Sequence, residues 1–301
     1  MYHYIRCEDK EFPNFKFLHN NNFKKQLNFF EKKNSYLKIG DNLEMLNRKK
    51  NKISLSFDDG IKDHFNVAKY LKKKNFLGFF FIPSYPYLNK DFIGAHKIHL
   101  VLGKYHVDEV INYLNTNANK IKNIKSDKLK DTSKDTQINE TKNKIEIKTL
   151  LVKKKLNYLT KNHSIITNRM FDYFINKKEQ KKIFKDFYLS IDEIKKMNTM
   201  GMCIGAHGHS HQLLSNLNIT KQTLEIKKSQ NFLEKILKKK IEHFCYPFGG
   251  HESYNINTIQ ILKKLNFNYS FTVENISIPN KINYLEIPRI DCNKFTYGKS
   301  N

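Results

Sequence analysis

The stretch ISLSFDDG at 53–60 opens a strand–helix–strand unit that decides the fold class. Its first five residues alternate between apolar and polar, as a strand does, and run into an Asp-Asp-Gly turn. Residues 64–74 (HFNVAKYLKKK) have apolar side chains at helical spacing, and residues 76–82 (FLGFFFI) form the continuous apolar run of a buried strand. A helix between two such strands is the building unit of a parallel sheet or barrel, so the sequence predicts an α/β protein.

The same alternation of strands and helices continues on both sides of this unit. Ser190, with Glu193 three residues later, predicts a capping box that opens a helix over 191–200. Further strands are expected at 1–5, 202–207 and 267–273, with a strand and a turn at 243–250. Further helices are expected at 23–33, 219–240 and 254–265, and residues 284–291 close the chain.

Residues 88–188 interrupt this alternation. Residues 92–114 and 149–188 have helical spacing, whereas residues 115–148 are a polar run of Asn, Lys, Ser, Thr and Asp. Such a run buries too little apolar surface to offset the entropy of ordering it, so we expect a mobile segment there. The sequence therefore predicts one catalytic domain over 1–301 that carries a helical insertion at 88–188.

Composition excludes several classes of protein. The chain has 301 residues, of which 39% are hydrophobic, and its 23 Phe and 16 Tyr can build a large core, which excludes a chain disordered throughout. The 54 basic and 29 acidic residues give a net charge of +25, but the lysines are spread along the whole chain and arginine is scarce. A nucleic-acid surface needs clustered basic and aromatic residues, so we predict no nucleic-acid partner. The charge favours acidic substrates and a peripheral contact with an anionic membrane.

The location of the protein is also predicted from the sequence. Four cysteines lie far apart with no CxxC pair, as in reduced cytosolic proteins. The start, MYHYIRCEDK, lacks the layout of a signal peptide, and the apolar run at 76–82 is far shorter than the ~20 residues of a membrane helix. We therefore expect a cytoplasmic protein.

Three groups of chemically active residues follow predicted strands. Asp58 and Asp59 end the first strand, a cluster of three histidines follows 202–206, and residues 246–250 follow the third strand. In parallel α/β folds the carboxyl ends of the strands form the active face. Adjacent carboxylates that point in opposite directions can divide two tasks, one holding a cation and the other acting as a base, although Asp-Asp-Gly is also common in surface turns.

The histidine cluster is typical of a metal site. His207 and His211 are four residues apart, and on a helical turn they would share one face, with His209 between them. Two histidines and one aspartate leave open coordination positions for water and substrate, which suits hydrolytic zinc and also non-haem iron. An iron oxygenase of that type needs many short strands, whereas this chain alternates strand and helix.

The motifs SFDDG (56–60), HGHSH (207–211) and CYPFGG (245–250) resemble, in order and spacing, those of the polysaccharide deacetylases. These are the NodB-homology enzymes of carbohydrate esterase family 4. The segment that leads into the histidines (187–211) and the closing EIPRID (286–291) are also similar to that family. The resemblance covers about residues 1–82 and 187–293 and leaves the insertion unmatched.

This resemblance implies a distorted (β/α) barrel of about seven strands and hydrolysis of an N-acyl group on a sugar. It makes Asp59, His207 and His211 the ligands of a divalent metal, with zinc expected first and cobalt or nickel as alternatives. It makes Asp58 the catalytic base that takes a proton from a water molecule on the metal.

The third motif implies an oxyanion site at Tyr246, Pro247 and Phe248, in which the backbone N–H of Phe248 faces the developing negative charge. The family usually begins this motif with an arginine that steadies the base, but this chain has Cys245 there. We assign that task to Arg289, the one arginine late enough in the chain to replace it.

The general acid is assigned from the other end of the chain. The family usually supplies a histidine near the C-terminus, but no histidine follows Asp291. Some members carry this histidine at the N-terminus in a Tyr-His context, as if circularly permuted, and MYHYI is similar to that form. His3 is therefore the predicted acid for the leaving amine.

The sequence thus predicts a metal-dependent N-deacylase, with acetyl as the first expected acyl group. The substrate class that we expect is a nucleotide- or lipid-linked amino sugar, or an intermediate of a surface polysaccharide or glycoconjugate. The alternative is a non-catalytic sugar-binding protein of the same fold, and the missing arginine at Cys245 is its main support.

Overall fold

The computed structural model describes residues 1–45, 52–118, 142–159, 163–274, 276 and 283–298. These residues form two compact units. The barrel unit comprises Met1–Glu8, Lys16–Asp91 and Ile183–Asn301, and the helical unit comprises Asp9–Phe15 and Phe92–Lys182. In the described part of the chain, no helix combines the length and the apolar character that a membrane crossing requires.

The barrel unit is built on one parallel sheet. Its five strands lie side by side in chain order, and every neighbouring pair is parallel. Two short parallel pairs, β1 with β2 and β3 with β4, lie outside this sheet. The strands are β1 (Ile5–Arg6), β2 (Leu18–His19), β3 (Ser35–Tyr36), β4 (Lys52–Ile53), and in the sheet β5 (Leu55–Asp58), β6 (Gly78–Ile82), β7 (Cys203–Ala206), β8 (His243–Cys245) and β9 (Tyr269–Phe271).

Helices connect these strands and cover the sheet, as the sequence predicts. Ser190 and Glu193 form the expected capping box. The helices with most or all of their residues in the barrel unit are α1 (Asn20–Glu31), α2 (Asp63–Lys74), α3 (Tyr85–Asn89), α9 (Ile191–Thr199), α10 (Ile219–Leu237) and α11 (Ile256–Lys264); those of the helical unit are α4 (Gly94–Lys104), α5 (Val107–Ala118), α6 (Lys142–Lys154) and α7 (His163–Phe174), and α8 (Lys177–Phe187) spans the boundary.

Two expectations about the insertion change in this structure. The helical unit also includes Asp9–Phe15, which the predicted insertion 88–188 left out. Of the segment 115–148 that the sequence predicts to be mobile, residues 115–118 belong to α5 and residues 142–148 to α6, and the rest, 119–141, lies outside the described residues. Helix α6 forms because its second half and the turn after it supply buried apolar residues, among them Val152 and Leu156.

The two terminal segments of the barrel unit close the sheet into a barrel. At one edge Tyr2 pairs with Phe57 in a parallel bridge, and at the other edge Ile287 pairs with Phe271. The two added segments then meet, because the backbone N of Met1 donates to the Ile290 carbonyl at 2.7 Å and the Cys292 N–H donates to the Met1 carbonyl at 3.1 Å. Five strands and two extended segments thus surround one interior, which confirms the distorted barrel of about seven strands.

Side-chain alternation divides the apolar residues between two layers. One layer fills the barrel interior and includes Phe79, Phe81 and Phe271. The other lies under the helices and includes Phe57 and Phe80. Because successive strand residues point to opposite faces, Asp58 faces the interior when Phe57 faces the helices. The pleat of β5 therefore decides that its last carboxylate points into the barrel.

Candidate active site

The Asp-Asp-Gly turn sends two adjacent carboxylates in different directions. Asp58 is the last residue of β5, and Asp59 has a φ of 82°, a left-handed conformation that aspartate tolerates better than most residues. Both carboxylates are buried, at 2% and 3% residue exposure. The backbone reversal at Asp59 separates the tasks that the two groups can perform.

Asp59 meets two histidines at the carboxyl ends of the strands. Its Oδ1 lies 3.4 Å from the Nε2 of His207 and 3.4 Å from the Nε2 of His211. Each of the three residues offers one ligand atom, and all three atoms lie within 4.8 Å of one another. Two imidazole nitrogens and one carboxylate oxygen are a donor set that zinc and related divalent metals accept. The residues therefore fit the implied metal.

A backbone hydrogen bond orients the first of these histidines. His207 Nδ1 lies 2.8 Å from the carbonyl oxygen of Cys245, so Nδ1 carries the proton and Nε2 is left as the ligand atom that faces Asp59. Histidines that bind a metal through one ring nitrogen commonly donate the N–H of the other to a carbonyl or carboxylate group, and this hydrogen bond fixes the tautomer.

The histidines do not lie on a helical turn, and that part of the prediction was wrong. Residues 207–211 form a loop in which Gly208 has a φ of 70° and His211 a φ of 56°. These reversals bring the rings of His207 and His211 to a centroid distance of 4.8 Å. His209 points elsewhere, with Nδ1 2.8 Å from the Ser84 hydroxyl.

A buried arginine holds Asp58. The two terminal nitrogens of Arg289 each lie 2.8 Å from one oxygen of Asp58, which is a bidentate pair. Arg289 also donates to the Ser56 hydroxyl at 3.1 Å and to the Thr272 carbonyl at 3.0 Å. Burial by itself raises the pKa of Asp58, but the charge and hydrogen bonds of Arg289 outweigh it and hold that pKa well below its usual range. Asp58 is therefore ionised at neutral pH.

Cys245 stands beside this ion pair. Its Sγ is 2.9 Å from Arg289 Nη2 and 3.6 Å from Asp58 Oδ2. The guanidinium of Arg289 thus lies beside both Asp58 and Cys245, at the place where the sequence analysis expects an arginine.

The N-terminal segment brings a third histidine to the same place. His3 Nε2 lies 3.8 Å from Asp59 Oδ2, and 37% of its side chain is exposed, whereas the side chains of His207 and His211 are almost fully buried. His3 follows Tyr2, which β5 holds by backbone hydrogen bonds at 2.8 and 3.0 Å. The predicted acid thus lies at the carboxylate that the two loop histidines share.

The third motif is divided between core and site. The Tyr246 hydroxyl donates to the Leu285 carbonyl at 2.7 Å and its ring stacks on Tyr254 at 4.1 Å, so its side chain belongs to the core and not to the substrate site that the sequence suggested. Phe248 has a φ of 67° and its ring packs on His211 at 4.7 Å. Pro247 lies between them and packs close to the histidine loop. A Cβ atom added to Gly208 would be 3.4 Å from the Cγ atom of Pro247.

Two residues that sequence reasoning missed shape this site. Glu225 on α10 accepts from the Ser210 N–H and hydroxyl, both at 2.7 Å, and fixes the histidine loop. His64, at the start of α2, lies 2.8 Å from the carbonyl oxygen of His3. A histidine at a buried helix position reads as core, so the one available signal was its place five residues after Asp59.

Comparisons with known proteins concern the family and the fold. A family model described as polysaccharide deacetylase matches residues 152–270, a range that contains HGHSH and CYPFGG but not SFDDG. No curated protein matches the chain in sequence at a significant level.

Three solved structures share the fold. The Streptococcus pyogenes deacetylase PplD in complex with acetate is 17% identical with a TM-score of 0.55, covering 96% of this chain and 88% of that one. IcaB from Ammonifex degensii is 13% identical with a TM-score of 0.54, at 96% and 88% coverage. A de-N-acetylase from Aggregatibacter actinomycetemcomitans is 13% identical with a TM-score of 0.53, at 96% and 92% coverage.

Residues 152–270 thus match the model of the polysaccharide deacetylase family, and the three solved structures share the fold of the chain.

Proposed function

We propose that the chain is a divalent-metal-dependent enzyme that removes an N-acetyl group from a sugar at the site formed by Asp58, Asp59, His207 and His211. The observation that carries the proposal is that the two adjacent aspartates contact different partners. Asp59 meets both imidazoles at 3.4 Å, while Asp58 is held ionised by Arg289. One carboxylate is thus in place for a cation and the other for a proton.

Asp59, His207 and His211 would hold the metal. When bound there, a divalent metal makes a water molecule acidic enough to ionise near neutral pH and polarises the acyl carbonyl. Zinc suits this donor set, and cobalt and nickel accept it too.

Asp58 and His3 would move the protons. Asp58 takes a proton as the water oxygen forms its bond to the carbonyl carbon, and Arg289 stabilises the carboxylate before that transfer. His3 gives a proton to the sugar nitrogen as the carbon–nitrogen bond breaks, so that an amine and a carboxylate leave. Its 37% exposed side chain can exchange its proton with solvent between turnovers.

The backbone N–H of Phe248 would stabilise the negative charge that develops on the carbonyl oxygen. The packing of its ring on His211 supports this role, because it keeps the peptide beside the metal ligands. One such donor is typically worth ~3 kcal/mol in the transition state. Pro247 restricts the backbone before it, and Tyr246 anchors the loop in the core.

For the substrate we propose an amino sugar in the biosynthesis of a surface polysaccharide or glycoconjugate, linked to a nucleotide or a lipid. The net charge of +25 supports a phosphate-bearing donor and a peripheral contact with an anionic membrane rather than a nucleic-acid partner. The acetate held by the Streptococcus pyogenes deacetylase supports acetyl as the acyl group. The four cysteines are free thiols, which supports a reducing compartment such as the cytoplasm.

Acetate release tests the proposal. The wild type is incubated with an N-acetylglucosamine oligosaccharide and, separately, with UDP-N-acetylglucosamine, before and after removal of divalent metals. Asp58→Asn should lower kcat by at least about 10²-fold, since the base is lost. Asp192→Asn, an exposed aspartate on α9, is the matched control and should change nothing. Metal-independent release, or full activity of Asp58→Asn, would contradict the proposal.

A further inference from the structure

We propose that His64 is a positioning residue, which fixes the backbone of His3 so that the acid faces the site. The inference rests on the proposed function, in which His3 protonates the leaving amine. It assigns a task to a buried histidine of α2 for which the proposed function gives no role.

The geometry places His64 under the N-terminal segment. His64 lies in the first turn of α2, its residue exposure is 0%, and its Nε2 is 2.8 Å from the carbonyl oxygen of His3. The rings of Phe57 and Phe80 flank the imidazole at centroid distances of 5.7 and 5.8 Å. Two aromatic rings and one backbone carbonyl group therefore lie against the imidazole.

The tautomer of His64 follows from its contacts. Within the described part of the chain, the Nδ1 atom of His64 has no hydrogen-bond partner. The proton therefore lies on Nε2, and the bond to His3 is a donation from the imidazole to the carbonyl. Burial lowers the pKa of His64 to about 4, which keeps the ring neutral.

Burying the imidazole ring of His64 costs free energy that an apolar side chain would not cost. An imidazole must give up its hydration to be buried between Phe57 and Phe80, and this cost is offset only where the ring finds a hydrogen-bond partner. Among the residues that the structure describes, the one hydrogen-bond partner of the ring is the carbonyl group of His3. The imidazole thus serves the segment that carries the acid.

The carbonyl groups on either side of His3 accept hydrogen bonds from backbone N–H groups of β5 and β2. The Tyr2 carbonyl accepts from the Asp58 N–H and the Tyr4 carbonyl accepts from the Leu18 N–H, both at 3.0 Å. For the residue between them, the bond comes from a side chain, that of His64. The short segment 58–64 therefore contains both Asp58, the proposed base, and His64, which positions the proposed acid His3.

The first test compares an amide with an activated ester. An N-acetylglucosamine oligosaccharide has a poor leaving group that needs the acid, whereas 4-nitrophenyl acetate has a good leaving group that does not. His64→Leu should lower kcat on the oligosaccharide by on the order of 10- to 100-fold with little change in KM, and leave ester hydrolysis within about twofold. His64→Gln, which keeps a donor near the Nε2 position, should restore kcat, and His64→Met serves if the leucine variant fails to fold.

A matched control removes similar bonds elsewhere. Gln230 on α10 is buried, and its amide donates to the Leu265 carbonyl at 2.9 Å and to the Ile241 carbonyl at 3.3 Å, so its removal costs two such bonds. Gln230→Leu should leave the ratio of amide to ester hydrolysis unchanged. An equal loss on both substrates in His64→Leu would mean general structural damage and would overturn the inference.

A double-mutant cycle separates this inference from the proposed function. If His64 acts through His3, His64→Leu should have almost no further effect on amide hydrolysis in a His3→Ala background. Independent losses, or full activity of His64→Leu beside an impaired His3→Ala, would overturn the inference and leave the acid in place. Full activity of His3→Ala would overturn both.

Hydrogen exchange gives a readout without substrate or metal. Amide exchange in residues 2–6 should be faster in His64→Leu than in His64→Gln or Gln230→Leu. Identical exchange in the three variants would contradict the anchoring.

Discussion

The two segments that close the barrel each bring one basic residue to the adjacent aspartates, and they do so in different ways. Arg289 is 7% exposed, and its guanidinium donates to Asp58, Ser56, Thr272 and Cys245. His3 has a 37% exposed side chain and lies 3.8 Å from Asp59. A group that must keep its charge is buried and fully bound, whereas a group that must give up and regain a proton is left in contact with solvent.

The largest effect is expected from breaking the buried side of this comparison. Arg289→Met leaves Asp58 buried without its cation, which should lower the free energy of unfolding by about 3–5 kcal/mol and remove most activity. The difference in free energy of unfolding between the wild type and Arg289→Met should become smaller as the pH falls, because the unpaired Asp58 of the variant becomes neutral. Below the unfolded-state pKa of about 3.9, the wild type also loses the stability that its depressed pKa provides.

Urea unfolding at pH 7 and at pH 4 measures this difference. Arg289→Glu, which sets two carboxylates side by side, should abolish activity. Retained activity in that variant would remove Arg289 from the site.

The exposed side should show the opposite balance of stability and activity. His3→Ala should lower kcat on the N-acetyl sugar by about 10²–10⁴-fold, because the leaving amine loses its proton donor. Its free energy of unfolding should change by less than about 0.5 kcal/mol, since the side chain is partly exposed. Steady-state kinetics together with urea unfolding test both statements, and a loss of less than tenfold in kcat would reject the assignment.

The titration of His64 should make the free energy of unfolding depend on pH. His64 is neutral in the folded state with a pKa of about 4, whereas an unfolded histidine titrates near 6.5, so the unfolded state binds the proton first as the pH falls. Between pH 7 and pH 5 the wild type should therefore lose about 2 kcal/mol more stability than His64→Gln. His243, whose pKa is also lowered to about 4 by burial, is present in both proteins and cancels. Equal losses would show that His64 is already charged in the fold.

The smallest effect is expected at the thiol beside the ion pair. Cys245→Ala removes a weak acceptor from Arg289, which keeps both of its bonds to Asp58. The variant should lose about 1 kcal/mol of stability and keep kcat within about tenfold. A much larger loss would mean that the sulfur atom, and not the fork on Asp58 alone, holds the guanidinium.

The pattern of the sequence predicted a parallel sheet or barrel with its active residues at one face, and the family resemblance added the seven-strand barrel and the roles of the residues. Strands that alternate with helices place their carboxyl ends together, which predicts that Asp59 lies near His207 and His211. Arg289 could be named because no other arginine follows Arg169. These inferences depend only on the order of the residues along the chain, which the sequence gives directly.

Local geometry was harder to predict. The spacing of His207 and His211 suggested a helical turn, but positive φ values at Gly208 and His211 make a loop, and spacing carries no information about them. Tyr246 was assigned to the substrate because it belongs to a motif, whereas the direction of its side chain depends on where β8 ends. The polar run before 149 hid the start of α6, since lysine- and glutamate-rich helices look like loops by composition.

The central claim is that Asp59, His207 and His211 hold a divalent metal, and metal content tests it most directly. Metal bound per chain would be determined after reconstitution with zinc for the wild type, His207→Ala and His209→Gln. We expect about one metal in the wild type and in His209→Gln, whose side chain lies against Ser84, and none in His207→Ala. A folded wild type without stoichiometric metal, or a His207→Ala variant that keeps it, would contradict the account.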